Sequence, residues 1–262
     1  MRICELKIKD FLIVLASPLL VFLAVFLFDL QISYLESLLL VFALPSVYLS
    51  LKSRAKVKKV LLFSLLVSIP VAFIFELVAY GDNSWAVPTS VFPWRLFGFI
   101  PIEDLLWQFL TVYTLLIFYE HFCNRHFLPD ISKRIRVMLW ILYPAMLVVM
   151  FTFLANSTLL QIPYAFLWLG LVFFPVPAIM FLVKHRSFFS SFLKVQLFFL
   201  YIHLLFELIG LKLGHWTFPG VHYIGWVSVL GQSFPVEELI FVMLIGAFAA
   251  CAYYEYFTDT KN

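Results

Sequence analysis

Long apolar stretches, each nearly free of charge, follow one another along almost the whole of this chain. In lipid no water satisfies the backbone, so only helices or closed barrels can cross. The runs are close to the roughly 20 residues a spanning helix needs and too long for the ~9–11 residues of a barrel strand. Eight spanning helices are predicted, at about 11–29, 34–51, 60–80, 101–122, 136–155, 161–183, 191–210 and 235–257, the second being marginal in length. Hydrophobic residues make up 64% of the chain and charged residues 13%, with a mean hydropathy of +1.01. That composition excludes an ordinary soluble domain and predicts an all-α integral membrane protein.

The first run, near Phe11, is placed like a signal peptide but lacks a small-residue cleavage site, so a retained helix is expected. Cys4, Cys123 and Cys251 are scattered, with no metal, redox or disulfide spacing. Of the 18 Lys and Arg residues, 16 fall toward one side of the predicted helices and only Arg95 and Lys212 toward the other. This asymmetry predicts a multi-pass protein of the cell membrane with both termini cytoplasmic. The basic run KSRAKVKK lies between two spans, so it reads as topogenic, with no nucleic-acid partner.

The two halves echo each other. FELVAYGDNSW (75–85) precedes FIPIEDLLW (99–107), and FELIGLKLGHW (206–216) precedes SFPVEELIF (233–241). Glu76 matches Glu207 and Trp85 matches Trp216 at an offset of 131; Pro101 matches Pro235 and Glu103 matches Glu237 at 134. FYEHF (118–122) parallels YYEYF (253–257). Four helices per half put both halves the same way up, predicting two parallel four-helix repeats, residues 1–130 and 131–262, about an axis along the membrane normal. The long linkers at 81–100 and 211–234 carry Trp85, Trp94, Trp216, Tyr223 and Trp226. These form either an interfacial aromatic belt or a rim over a cavity.

Pro101 and Pro235 suit a first helical turn, putting Glu103 and Glu237 near its third position and Asp104 and Glu238 one further on. Acids there can cap the helix. Both halves repeat an adjacent pair, however, and each adds another acid, Glu76 or Glu207, at the end of the preceding span. Ionisable groups at membrane depth face protein or water. Like charges in a dry site do not all ionise, so the six acids predict a proton-holding cluster. Such a cluster can protonate a weak base such as an alkene and take a proton back.

Trp107 and Phe241, four residues after Glu103 and Glu237, share their helix face. They can stabilise a cation or act as wedges between helices. Glu120 and Glu255 are read as structural, partnered by His121, Arg125 or water. His203, one turn from Glu207, is read as a buried histidine satisfied by a neighbour. With no HExxH, GxGxxG or Walker motif, no metal, nucleotide or other cofactor is expected.

The duplicated loop and PxE(E/D) pattern resembles the membrane lycopene cyclase domain family. The likeness rests on Glu76, Gly81, Trp85, Pro101, Glu103 and Asp104, and on Glu207, Gly214, Trp216, Pro235, Glu237 and Glu238. PIEDLLW and the LIF after PVEE depart from the family's usual second glutamate and aromatic pair. The resemblance implies a cofactor-free isomerase that protonates a carotenoid ψ-end, closes a ring and removes a proton. It puts Glu237 and Glu238 first as catalytic residues, Glu103 and Asp104 next, and Glu76 and Glu207 as proton-sharing neighbours. Trp107, Phe241, Trp85 and Trp216 become substrate contacts. The partners it implies are a long polyene, membrane lipid, and further copies or other enzymes of carotenoid synthesis. An end-group hydratase or a C50 carotenoid cyclase is the alternative within the resemblance. A membrane scaffold or carrier is the alternative outside it.

Overall fold

The computed structural model describes residues 2–123 and 132–258. The expected repeat boundary at 130/131 lies outside the described residues, as do Arg125 and Lys261. The chain is mostly helical. Among the described residues, seven helices are long and apolar enough to cross a membrane, the first by its segment from Lys7 on. We label them α1 (Arg2–Phe28), then α2 (Tyr34–Lys52), α3 (Arg54–Asp82), α4 (Ile102–Cys123), α5 (Ile135–Ala155), α6 (Ala165–Lys184) and α7 (Arg186–Leu213). A hairpin, β1 (Trp226–Val229) and β2 (Gln232–Pro235), leads to a π-helical turn at Glu238–Met243 and to α8 (Gly246–Thr258).

The helices pack by a repeated rule. α1 lies on α7 and α5 on α3; α2 lies on α4 and α6 on α8. The first helix of each foursome therefore covers the third helix of the other. The core between them is aromatic, with Phe42, Phe63, Phe192, Phe206, Tyr119 and Tyr254 fully enclosed. α5 is the opposite case, with only 6% of its apolar window buried.

The eighth run, expected as one helix over 235–257, is interrupted. Pro235 ends β2, and the π-helical turn closes at Leu244 before α8 begins. Such a break strands backbone groups that a dry interior penalises. Gln196 of α7 meets them: its Nε2 donates to the Met243 carbonyl at 2.5 Å, and its Oε1 accepts the Ala247 and Phe248 N–H groups at 3.1 and 3.3 Å. The prolines of α2 and α6 also sit at irregularities, a π-helical turn at Leu39–Ala43 just before Pro45 and a break at Phe174 before Pro175.

The ends of the bundle differ in charge. At the basic end, which carries Lys52, Lys56, Arg134 and Lys184, two matched Tyr–Glu pairs exchange partners. Tyr119 donates to Glu255 at 2.6 Å and Tyr254 to Glu120 at 2.7 Å. Glu120 also pairs with Lys56. His121, expected beside Glu120, instead lies between Asp10 and Ser53.

At the other end the two linkers meet. Ala86 and Thr217, also 131 apart, exchange N–H···O bonds of 2.9 and 2.8 Å. Arg95 holds the first linker by donating to the carbonyls of Val87, Pro88 and Phe99. In the second linker a two-residue turn, Leu230 and Gly231 with φ of 51° and 80°, closes the hairpin. Both positive φ values match the twist of an antiparallel pair. The sequence signal for a hairpin here is faint, because Leu–Gly is a weak form of the usual Asn–Gly turn.

Candidate functional site

Helices α3, α4, α6, α7 and α8 line a partly open cavity. Among the described residues four carboxylates line it, Glu76, Asp104, Glu207 and Glu238, and no Lys, Arg or His does. All four stand near the linker end: Glu76 and Glu207 late on α3 and α7, Asp104 in the first turn of α4, Glu238 at the start of the π-helical turn. Away from them the walls are apolar and largely aromatic, reaching Phe63 on α3 and Tyr253 on α8. From Phe63 to Glu76 is thirteen residues of one helix, or about 20 Å at 1.5 Å per residue. The cavity is thus long, greasy and polar at one end.

Each acidic pair divides its labour. Glu103 and Glu237 are wholly buried and absent from the cavity wall. Glu103 accepts the Val91 N–H at 2.7 Å and the Ser90 hydroxyl at 2.8 Å; Glu237 accepts the Ile224 N–H at 2.7 Å. They pin the folded-back linkers. Neither pair caps its helix: Pro101 is the N-cap of α4, Glu103 and Asp104 are its second and third residues, and no side-chain cap bond forms there or at Glu237. Glu103 and Asp104 therefore sit one position earlier in their helix than the sequence predicts. Adjacent helical residues point two ways, and here the first acid of each pair anchors a linker while the second faces the cavity.

The cavity-facing acids form two unequal groups. In the first, Tyr34 of α2 donates to Asp104 Oδ1 at 2.9 Å, and Glu76 lines the same cavity. In the second, Trp216 Nε1 donates to Glu207 at 3.1 Å, and His203 Nε2 faces Glu238 Oε1 at 3.1 Å. Trp85 and Trp216 each stand nine residues after a cavity acid and line the cavity themselves. Close packing fixes Trp216, since a Cβ on Gly210 would meet its ring at 2.0 Å.

Trp107 lines the cavity, with its Nε1 buried and without a protein partner. Phe241 does not; a Cβ on Gly170 would meet its ring at 2.2 Å, so it wedges α6 against the π-helical turn. His215, in the second linker, stacks on Tyr34 at 5.7 Å and meets Ser37 at 3.1 Å. Burial lowers it to about 4, so it is neutral near pH 7. His203, Glu207 and Glu238 each offer a donor atom within 4.8 Å of the others, a set that can take a divalent cation.

Sequence reasoning missed Tyr34, Ser90 and Gln196. Tyr34 and Ser90 gave no local signal. Gln196 did, as a lone amide deep in an apolar run, where a polar group requires a partner.

Fold and site together define a mostly helical chain with membrane-length apolar helices around a carboxylate-headed cavity. No family model, no curated protein and no solved structure matches the chain.

Proposed function

We propose that this chain is an eight-span integral membrane protein, with both termini cytoplasmic, that isomerises a long polyene by acid–base chemistry. The reaction is ring closure of a carotenoid ψ-end, with lycopene as substrate and a β-ring as product. The observation that carries the reading is the cavity itself: four carboxylates gathered at one end of an aromatic slot about 20 Å long. A hydrocarbon needs an apolar slot of this kind, and protonating an alkene needs a buried acid with a base nearby. Aromatic walls stabilise the cation between the two steps, and no redox step is required.

Further observations support the wider reading. α5 exposes Trp140, Ile141, Val148 and Phe151, a face suited to lipid. The basic residues gather at the end where a cytoplasmic face is expected. The reciprocal bonds at Ala86 with Thr217, and between Tyr119–Glu120 and Tyr254–Glu255, are those a twofold axis relating parallel repeats would generate. An end-group hydratase is the second reading. Thr111 Oγ1 and Trp107 Nε1 have no protein partner at the cavity wall and can hold a water.

The test is expression in a lycopene-accumulating bacterium, with pigments separated and weighed. A cyclic product of unchanged mass is expected; a gain of one water identifies the hydratase. Unchanged lycopene beside abundant protein rules out that substrate. Conversion in membranes is expected to survive a metal chelator, whereas loss restored by added zinc would give the His203 group to a metal.

A further inference from the structure

The acids of the two matched motifs correspond, but only the second set gains a histidine. His203 and Glu207 stand four residues apart on α7, on one helix face. Glu238 comes to them from the π-helical turn, with its Oε1 3.1 Å from His203 Nε2. One donor atom from each of the three lies within 4.8 Å of the others, and all three side chains are buried. Donors bound to one zinc ion at about 2.1 Å stand roughly 3.4 Å apart in a tetrahedron, so small shifts close the set. At the matching place in the first half, 131 residues earlier, Ala72 replaces the histidine.

Charge and the outer contacts decide which ion fits and how firmly. Two carboxylates and a neutral imidazole balance a divalent cation, and among the described residues no Lys or Arg lines the cavity to do so. One imidazole nitrogen with two carboxylate oxygens suits zinc and its first-row neighbours, whereas magnesium and calcium favour oxygen alone. Trp216 Nε1 donates to Glu207 Oε1 at 3.1 Å, an outer contact of the kind that orients a ligating carboxylate. His203 Nδ1, by contrast, is buried with no protein partner. A histidine ligand that lacks this outer bond holds its metal about 10–100-fold less tightly. The set therefore suits an ion that comes and goes better than a resident one. Glu207 and Glu238 line the cavity, so an ion on them has a coordination position open to the slot.

We propose that His203, Glu207 and Glu238 form a reversible site for a divalent cation of the zinc class, and that this ion competes with the apolar end group for the carboxylate end of the cavity. The competition, though not the site, rests on the acid–base reading above. The bound ion takes up lone pairs of both glutamates and holds water where the end group must lie. Conversion is fastest without metal and falls as the ion loads.

Two measurements test this, the first without any polyene. Purified protein free of any histidine tag is titrated in detergent with zinc, with cobalt as a coloured probe and magnesium as the control. The wild type is expected to bind one equivalent of zinc at micromolar concentration, to give cobalt the strong visible bands of a four-coordinate site, and to ignore magnesium. His203→Gln and Glu207→Gln are expected to weaken zinc at least tenfold. Asp104→Asn, in the group that lacks the histidine, is expected to stay within threefold of wild type. Absence of the wild-type equivalent overturns the site whether or not any variant folds. Zinc held as well by His203→Gln, or lost equally from Asp104→Asn, overturns the ligand set. In membranes that convert lycopene, zinc at the concentration that fills the site is expected to cut conversion at least tenfold. Excess lycopene is expected to relieve the inhibition and a chelator to abolish it. Zinc bound with conversion undiminished overturns the competition. Lycopene left unconverted in zinc-free membranes counts against the acid–base reading alone, and the titration still decides the site.

Discussion

Glu237 and Glu238 are neighbours in the chain, yet one holds the Ile224 N–H while the other lines the cavity. Successive helical side chains diverge by about 100°, so the pair was always going to point two ways. Which way was inward depended on the linker folding back onto the first glutamate, a tertiary fact absent from PVEE. Glutamine still accepts an N–H, so Glu237→Gln is expected to keep conversion within about tenfold of wild type, and Glu237→Ala to lose about 1–3 kcal/mol of stability. Pigment yield and thermal melting in detergent check both. His215 gives a pH dependence. An unfolded histidine binds a proton near 6.5, whereas burial delays this in the folded protein to about 4. Between those values the unfolded state holds more protons, so this contribution lowers stability as pH falls from 6.5 toward 4. Melting of His215→Gln, compared with wild type at pH 7.5, 5.5 and 4.5, is expected to be less steep in pH.

At the scale of elements, hydropathy located the helices well. The expected 34–51, 101–122 and 136–155 became Tyr34–Lys52, Ile102–Cys123 and Ile135–Ala155. Apolar runs mark spans because lipid demands them whatever the neighbours do. The break before α8 was not legible, because it depends on Gln196, about 50 residues away in the chain. Without that amide three backbone groups lose their partner. Gln196→Leu, close in size, is expected to destabilise the protein by about 3–9 kcal/mol, three times the ~1–3 for one buried polar group. A melt of the purified variant measures it; a wild-type midpoint would show that the break is held by other contacts.

For the whole molecule, the matched motifs predict two related halves, and matched positions at both ends of the bundle exchange bonds. What repetition could not show was the inequality between the halves. His203 has Ala72 at the corresponding place, 131 residues earlier, and Tyr34 reaches Asp104 from a helix outside the motifs. The crossed tyrosines tie α4 to α8. Tyr119→Phe and Tyr254→Phe each remove one O–H donor and are expected to cost about 1–3 kcal/mol. In a double-mutant cycle they are expected to be non-additive, as for groups that share one network. Strict additivity would mean that the two bonds act separately.

The cavity keeps all its acids at one end, and for a substrate with two identical ends this has a kinetic consequence. Only one end can reach the carboxylates at a time, and the rest of the polyene fills the slot behind it. A half-converted molecule must leave, reverse in the bilayer and enter again. Turnover on the proposed reading is therefore distributive: the singly cyclised compound is released as a free intermediate, builds up early, and competes with fresh substrate for re-entry.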